Sequence, residues 1–189
     1  MDVRNFNQDL KNSNNPALLK DWKRISNIFF PNSIFTHKEE NMEIQTQFGV
    51  DALLKTEKGR RYSIELKTRR EQYCNCSDYL LEIAHHIYKD KTRKERIETK
   101  PGWLYQSTAD LLLFGTVNKD YTKLKEVCLF SLIPFKEEEF KQEISKLHNV
   151  WASTQFDSGR FQLTLNKVVD INFLKENSMK FMFWKEEDL

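Results

Sequence analysis

Apolar positions at Leu18, Trp22, Ile25 and Phe29 recur at helical spacing behind Asn15-Pro16, a cap followed by proline in the first turn. They predict an amphipathic first helix. It should end near Pro31, because proline donates no backbone hydrogen bond and restrains the residue before it. From Ser33 to Gln47 the pattern is polar and irregular, with a short strand around Ile34. The clearest local structure runs from Asp51 to Lys67: an apolar-rich segment, then Glu57-Lys58-Gly59, then an alternating segment from Arg60. This reads as a β-hairpin. With Gly59 in the left-handed position of a three-residue loop, Thr56 pairs with Arg60 and Asp51 falls opposite Glu65. Alternation then sends Asp51, Lys55, Ser63, Glu65 and Lys67 to one face, and Ala52, Leu54, Tyr62, Ile64 and Leu66 to the other.

Tyr79 to Ala84 suits a buried strand or a short helix, and the strand is preferred. Pro101-Gly102 marks a turn, Trp103 to Asp110 a helix, Leu111 to Val117 a buried strand and Val127 to Ile133 another. Pro134 opens a helix reaching about His148, with Phe135, Phe140, Ile144 and Leu147 facing inward. From Val150 onward the pattern predicts short strands with a turn near Asp157-Ser158-Gly159. No internal repeat or low-complexity tract interrupts it. The mixture of helices and strands predicts an α/β (α+β) chain.

With 189 residues, 39% of them hydrophobic and 13% aromatic, the chain can bury one good core and is expected to form a single domain. Lys and Arg number 30 against 28 Asp and Glu, so net charge says little about a polyanionic partner. Distribution says more: Lys55, Lys58, Arg60, Arg61, Lys67, Arg69 and Arg70 crowd one stretch, and a second basic stretch runs from Lys89 to Lys100. Either is an ordinary solvated surface unless an active site lies beside it. Cys74, Cys76 and Cys128 imply no disulfide framework, and Cys-x-Cys is too short for the usual zinc pair. His37, His85, His86 and His148 show no metal-ligand spacing. The first ten residues carry charge and amides, and no run approaches the roughly 18 apolar residues of a membrane span. The expected location is the cytoplasm, without a membrane partner.

Chemistry concentrates at the hairpin. Two carboxylates directly opposed on neighbouring strands repel unless a cation lies between them. Magnesium binds few protein groups, mostly carboxylates, and keeps positions for water and substrate oxygens. Asp51 and Glu65 would supply that need, with the backbone carbonyl of Leu66 as a further ligand. Lys67, two residues after Glu65 on the same face, could orient the attacking water, help deprotonate it or stabilise the pentacovalent phosphate.

Asp51, then Glu65-Leu66-Lys67 after a β-hairpin, resembles the PD-(D/E)XK nuclease superfamily. Val50 stands where the signature has proline. Gln47-Phe48-Gly49-Val50-Asp51 and Thr68-Arg69-Arg70 are similar to segments of small phage-type members, in which a segment like Pro101-Gly102-Trp103-Leu104 leads through a helix to a strand beginning near Asp110. The resemblance spans about residues 45 to 117. It implies a restriction-endonuclease-like fold, a central mixed β-sheet flanked by helices, and a nuclease using Mg²⁺ or Mn²⁺ to cut DNA, with RNA a second candidate substrate. Members often add an acid from the first helix, a role open to Asp21, Glu39, Glu40 or Glu43. Arg69 and Arg70 are placed to contact phosphate, as is Gln47 if it is more than a polar turn residue. Glu82, Gln106 and Asp110 are further candidates for the groove, Asp110 equally a helix end. A homodimer would let both strands be cut, although one site acting twice would also serve. The rival expectations are a nucleic-acid-binding protein without catalysis, or a phage accessory protein whose aromatic tail, Phe181, Phe183 and Trp184, meets a partner.

Overall fold

In the computed structural model, which describes residues 4–5, 15–44, 49–74, 77–156 and 158–186, the elements in chain order are β1 (Arg4–Asn5), α1 (Pro16–Phe29), β2 (Ile34–His37), β3 (Ala52–Lys55), β4 (Arg61–Arg69), β5 (Asp78–Tyr88), β6 (Arg96–Pro101), α2 (Trp103–Gln106), β7 (Leu111–Val117), β8 (Leu124–Ser131), α3 (Glu138–Lys146), β9 (Asn149–Gln155), β10 (Phe161–Asp170), α4 (Ile171–Asn177) and β11 (Phe181–Lys185). They divide into two compact units. One takes its residues from Ser13–Cys76, Ser107–Pro134 and Leu174–Leu189, the other from Met1–Asn12, Ser77–Gln106 and Phe135–Phe173.

In the first unit Asn15 caps α1 by accepting a hydrogen bond from the Ala17 N–H at 3.0 Å, and the helix ends two residues before Pro31. Leu18, Trp22, Ile25 and Phe29 bury one side of it against a six-stranded mixed sheet in the order β11-β8-β7-β4-β3-β2. Only β4 and β7 are parallel; the other neighbours run antiparallel. Ala52, Leu54, Tyr62, Ile64, Leu111, Leu113 and Leu129 complete this core, each fully buried large side chain stabilising it by about 1.5–3 kcal/mol. Every residue of β7 is buried, which explains its unbroken apolar run. Gly115 is bare for a packing reason: a Cβ there would stand 2.7 Å from the Trp22 ring and 2.6 Å from Leu124. The aromatic tail is an edge strand of this sheet, β11 paired with β8, with the Arg24 guanidinium 4.9 Å from the Trp184 ring centre.

The second unit holds a five-stranded sheet, β1-β9-β10-β5-β6, antiparallel except for β1 with β9. Gly159, at φ +81°, turns β9 into β10, much as Gly59 turns β3 into β4. Lys167 is buried, and its ammonium donates to the Ser145 and Leu147 carbonyls at 2.5 and 2.9 Å, capping the C-terminal end of α3.

Several sequence expectations change. The helix expected over Trp103–Asp110 is one turn, α2, because the Ser107 hydroxyl takes the Ala109 N–H and Asp110 is drawn to β4. Pro101 closes β6, and the Gly102 N–H donates to the Ile83 carbonyl at 2.9 Å; the bare Gly102 lies against Glu82 backbone, where a Cβ would collide. The basic stretch after Lys89 contains this strand, exposed along its whole length. The helix expected from Pro134 to His148 is a 3₁₀ turn, Pro134–Lys136, followed by α3. The strands expected after Val150 are joined by an unforeseen helix, α4, whose first N–H groups at Asn172 and Phe173 are taken by the Asp170 carboxylate, both at 2.8 Å. Cys74 and Cys128 are free thiols, and Cys76 and Asp157 lie outside the described residues.

Candidate functional site

The geometry begins at a turn. Gly59, at φ +80°, lets the Thr56 N–H reach the Arg60 carbonyl at 2.8 Å, and the pairing runs outward from Lys55 with Arg61 to Ala52 with Ile64. One step further lies Asp51, whose N–H donates to the Ile64 carbonyl at 3.0 Å. Asp51 therefore reaches the level of Glu65, as the hairpin register predicts. Ala52, Leu54, Tyr62 and Ile64 enter the core, which leaves Asp51, Ser63 and Glu65 on the opposite face.

Two acids and two lysines meet there. Lys38 Nζ lies 2.6 Å from Asp51 Oδ1, the Leu66 N–H donates to Asp51 Oδ2 at 3.0 Å, and Lys67 Nζ lies 2.7 Å from Glu65 Oε1. The Ser107 hydroxyl donates to Glu65 Oε2 at 3.4 Å. The Asp51 and Glu65 side chains are only 19% and 12% exposed. Burial alone would push the Asp51 carboxyl upward; the Lys67 and Lys38 charges, with the hydrogen bonds from Lys38 and the Leu66 N–H, outweigh it and hold the group below its ordinary value. Beside it, burial lowers the pKa of His37, whose Nδ1 accepts the Glu39 N–H at 3.2 Å.

Lys38 is the residue that sequence reasoning missed. It follows β2, and its N–H extends the β2–β3 ladder by donating to the Asp51 carbonyl at 2.8 Å, so backbone pairing carries its side chain to Asp51. The pattern signal is the expected strand at Ile34, whose neighbour is the strand that Asp51 precedes. A second unforeseen contact fixes β7 to β4: Asp110 Oδ2 accepts from both the N–H and the hydroxyl of Ser63, each at 2.8 Å. Asp110 thus follows α2 outside any helix and clamps β7 to β4 at Ser63, two residues before Glu65.

The other candidates are distributed more widely. Leu66 meets Asp51 through its N–H, while its side chain packs against the core. Arg69 donates from Nε to the Thr116 hydroxyl at 2.9 Å and lies 4.0 Å from Glu126, and Arg70 is half-buried just past β4. Asp21 ties α1 to β8, accepting from Arg24 Nε at 2.6 Å and from the Leu124 N–H at 2.7 Å. Glu40 pairs with Lys23, and Glu39 and Glu43 are exposed. Gln106 and Glu82 belong to the second unit, Gln106 donating to the Pro101 carbonyl at 2.7 Å and Glu82 lying 3.6 Å from His85 Nε2. Gln47 lies outside the described residues.

No family model matches this chain, and no curated protein or solved structure matches it. What the site can do rests on its own chemistry. Hard carboxylate oxygens, as on Asp51 and Glu65, are the donors that Mg²⁺ and Mn²⁺ take, and each of these acids here pairs with a lysine ammonium. The donor set fits such an ion through these two side chains; among the described residues no group of three or more His, Cys, Asp or Glu converges to hold one. No helix among them is long and apolar enough to cross a membrane.

Proposed function

We propose that the chain is a metal-dependent nuclease that hydrolyses the phosphodiester backbone of DNA. The observation that carries this reading is the meeting of two largely buried carboxylates, Asp51 and Glu65, at opposed positions of one hairpin, with Lys67 beside them. Like charges held together out of water need a cation. On this reading Asp51 and Glu65 hold Mg²⁺ or Mn²⁺, which when bound lowers the pKa of a water and neutralises charge on the phosphate. The Leu66 N–H aims the Asp51 carboxylate and Ser107 that of Glu65, while Lys38 sits on Asp51 Oδ1, where the ion would take its place. Lys67 turns from Glu65 toward the phosphate, where its ammonium stabilises the pentacovalent state. A six-stranded mixed sheet with both acids on adjacent strands supports a restriction-endonuclease-like fold for the first unit.

One observation favours a second reading. Lys38 and Lys67 already balance Asp51 and Glu65, so the quartet could serve a nucleic-acid-binding protein as a structural ion-pair cluster without a metal. The deciding experiment incubates the protein with supercoiled plasmid and with linear, branched and single-stranded DNA and RNA, in Mg²⁺, Mn²⁺ or EDTA, beside Asp51→Ala and Lys67→Ala. Metal-dependent cutting that both substitutions abolish is expected. Absence of cutting, together with absence of metal binding by calorimetry, would replace the nuclease with the binding protein.

A further inference from the structure

We propose that the first unit carries a nucleotide-binding pocket at the mouth of the β3–β4 hairpin, distinct from Asp51 and Glu65, where Arg60, Arg61 and Lys180 surround a phosphate and an apolar rim receives the base. The cavity measures about 330 Å³, within the range of small-ligand sites. Among the described residues none of the three cations has a carboxylate oxygen within 4.0 Å, although lysines and arginines elsewhere form twelve ion pairs among them. Aromatic rings hold two of them, Arg60 and Lys180, and Arg61 is exposed beside them. The Arg60 guanidinium lies 4.9 Å from the Tyr62 ring centre, and the Lys180 ammonium lies 5.1 Å from Tyr62 and 4.5 Å from Phe30. A ring face positions a cation without neutralising it, so the positive charge stays available to an anion.

The pocket's one acid, Asp110, is turned to Ser63 and forms no ion pair with these cations. Asp110 Oδ2 is engaged by the Ser63 N–H and hydroxyl, which stabilise it where it is. Two apolar residues of the rim are open, Ile133 at 44% exposed and Met179 at 76%, while Leu111 and Ser131 are buried. A ligand with one dense negative group and one flat, apolar-faced ring satisfies both halves, and a nucleotide is that ligand. Arg61 also shares a face of β4 with Glu65, roughly 13 Å along the strand, so a polynucleotide lying on that face would pass both places. The ligand can therefore be a free nucleotide or one unit of a strand.

The test is binding in EDTA, which removes any dependence on the metal centre and keeps this outcome separate from the plasmid assay. AMP, TMP, a short oligothymidylate and inorganic phosphate are titrated by calorimetry into the wild type and into Arg61→Gln, Lys180→Gln and Lys180→Arg, with circular dichroism confirming the fold. Nucleotides should bind, inorganic phosphate at least tenfold more weakly, and each Gln variant should lose about tenfold while Lys180→Arg retains affinity. For the oligonucleotide the salt slope should fall by about 0.7 with each cation removed. Equal affinity for TMP and the oligothymidylate points to a free nucleotide, and tighter binding of the oligothymidylate to a polymer. Binding that ignores both Gln variants, no nucleotide binding, or equal affinity for inorganic phosphate and nucleotide would overturn the proposal; Arg61 is exposed, so its substitution tests the pocket even if Lys180→Gln fails to fold.

Discussion

Replacing Lys38 by Met separates a metal centre from a structural ion-pair cluster. Methionine keeps the packing of the lysine stem and removes the ammonium 2.6 Å from Asp51. Both side chains are less than a fifth exposed, so water replaces the lost partner poorly. A charge-assisted hydrogen bond in such a place contributes about 1.5–3 kcal/mol. For a chain of this length about 2 kcal/mol lowers the melting temperature by roughly 4–8 °C. In EDTA the variant should show that loss by circular dichroism. Magnesium should then reverse it. In the wild type an entering cation must displace Lys38 from Asp51, a cost the variant lacks, so the same Mg²⁺ titration should raise Tm further in Lys38→Met than in the wild type. Saturation at a hundredfold above Kd stabilises a folded protein by about 2.7 kcal/mol, enough to be read clearly. A magnesium-induced rise no larger in Lys38→Met than in the wild type would refute the reasoning, because Lys38 would then not occupy the place of a metal.

Other consequences follow from packing and titration. Gly115→Ala should cost about 1–3 kcal/mol in a urea melt, since its Cβ must push Trp22 or Leu124 aside; an unchanged midpoint would mean that α1 slides freely over β7. Lys167→Met should cost about 2–3 kcal/mol by the same assay, because the Ser145 and Leu147 carbonyls lose their donor, and a loss below about 0.5 kcal/mol would show that water serves equally well. Stability should also fall with acid in two stages. His37 is held below its ordinary 6.5, so the unfolded chain binds the extra proton first and stability declines as pH drops through 6.5 toward the lowered native value. Asp51 is held below 3.8, so its contribution is present above that value and is lost as pH falls through the depressed native one. A urea midpoint constant from pH 7 to 5 would contradict the part assigned to His37.

The hairpin was legible because everything that defines it is local. Gly59 sets the turn, alternation assigns the faces, and the register then carries Asp51 to Glu65. The first helix was legible for the same reason, with Asn15 and Pro16 at one end and Pro31 beyond the other. Lys38 was not, because its partner is chosen by the β2–β3 ladder, and the polar stretch after Ser33 carries no periodicity that specifies that pairing. The Ser63–Asp110 clamp spans 47 positions of sequence, and nothing in either segment marks it. Strand β6 escaped because all its residues are exposed and leave no hydrophobic pattern to read. The α4 helix did carry a signal, Asp170 before a short run with Leu174 inward, which the expectation of strands overrode.

The residue that controls the candidate chemistry is therefore the turn glycine, which touches none of it. Strand side chains alternate with a period of two, so a slip of one residue in the hairpin would carry Glu65 to the face occupied by Tyr62 and Ile64. A carboxylate among those core residues would lose its lysine and its hydroxyl partner together, at a cost of several kcal/mol. The apolar face thus enforces the register that the polar face requires. Hydrophobic burial on one side of β3 and β4 supplies the free energy that holds Asp51 and Glu65 together on the other, where their own repulsion would part them. Lys38 and Lys67 reduce that repulsion further, so the apolar face has less to overcome.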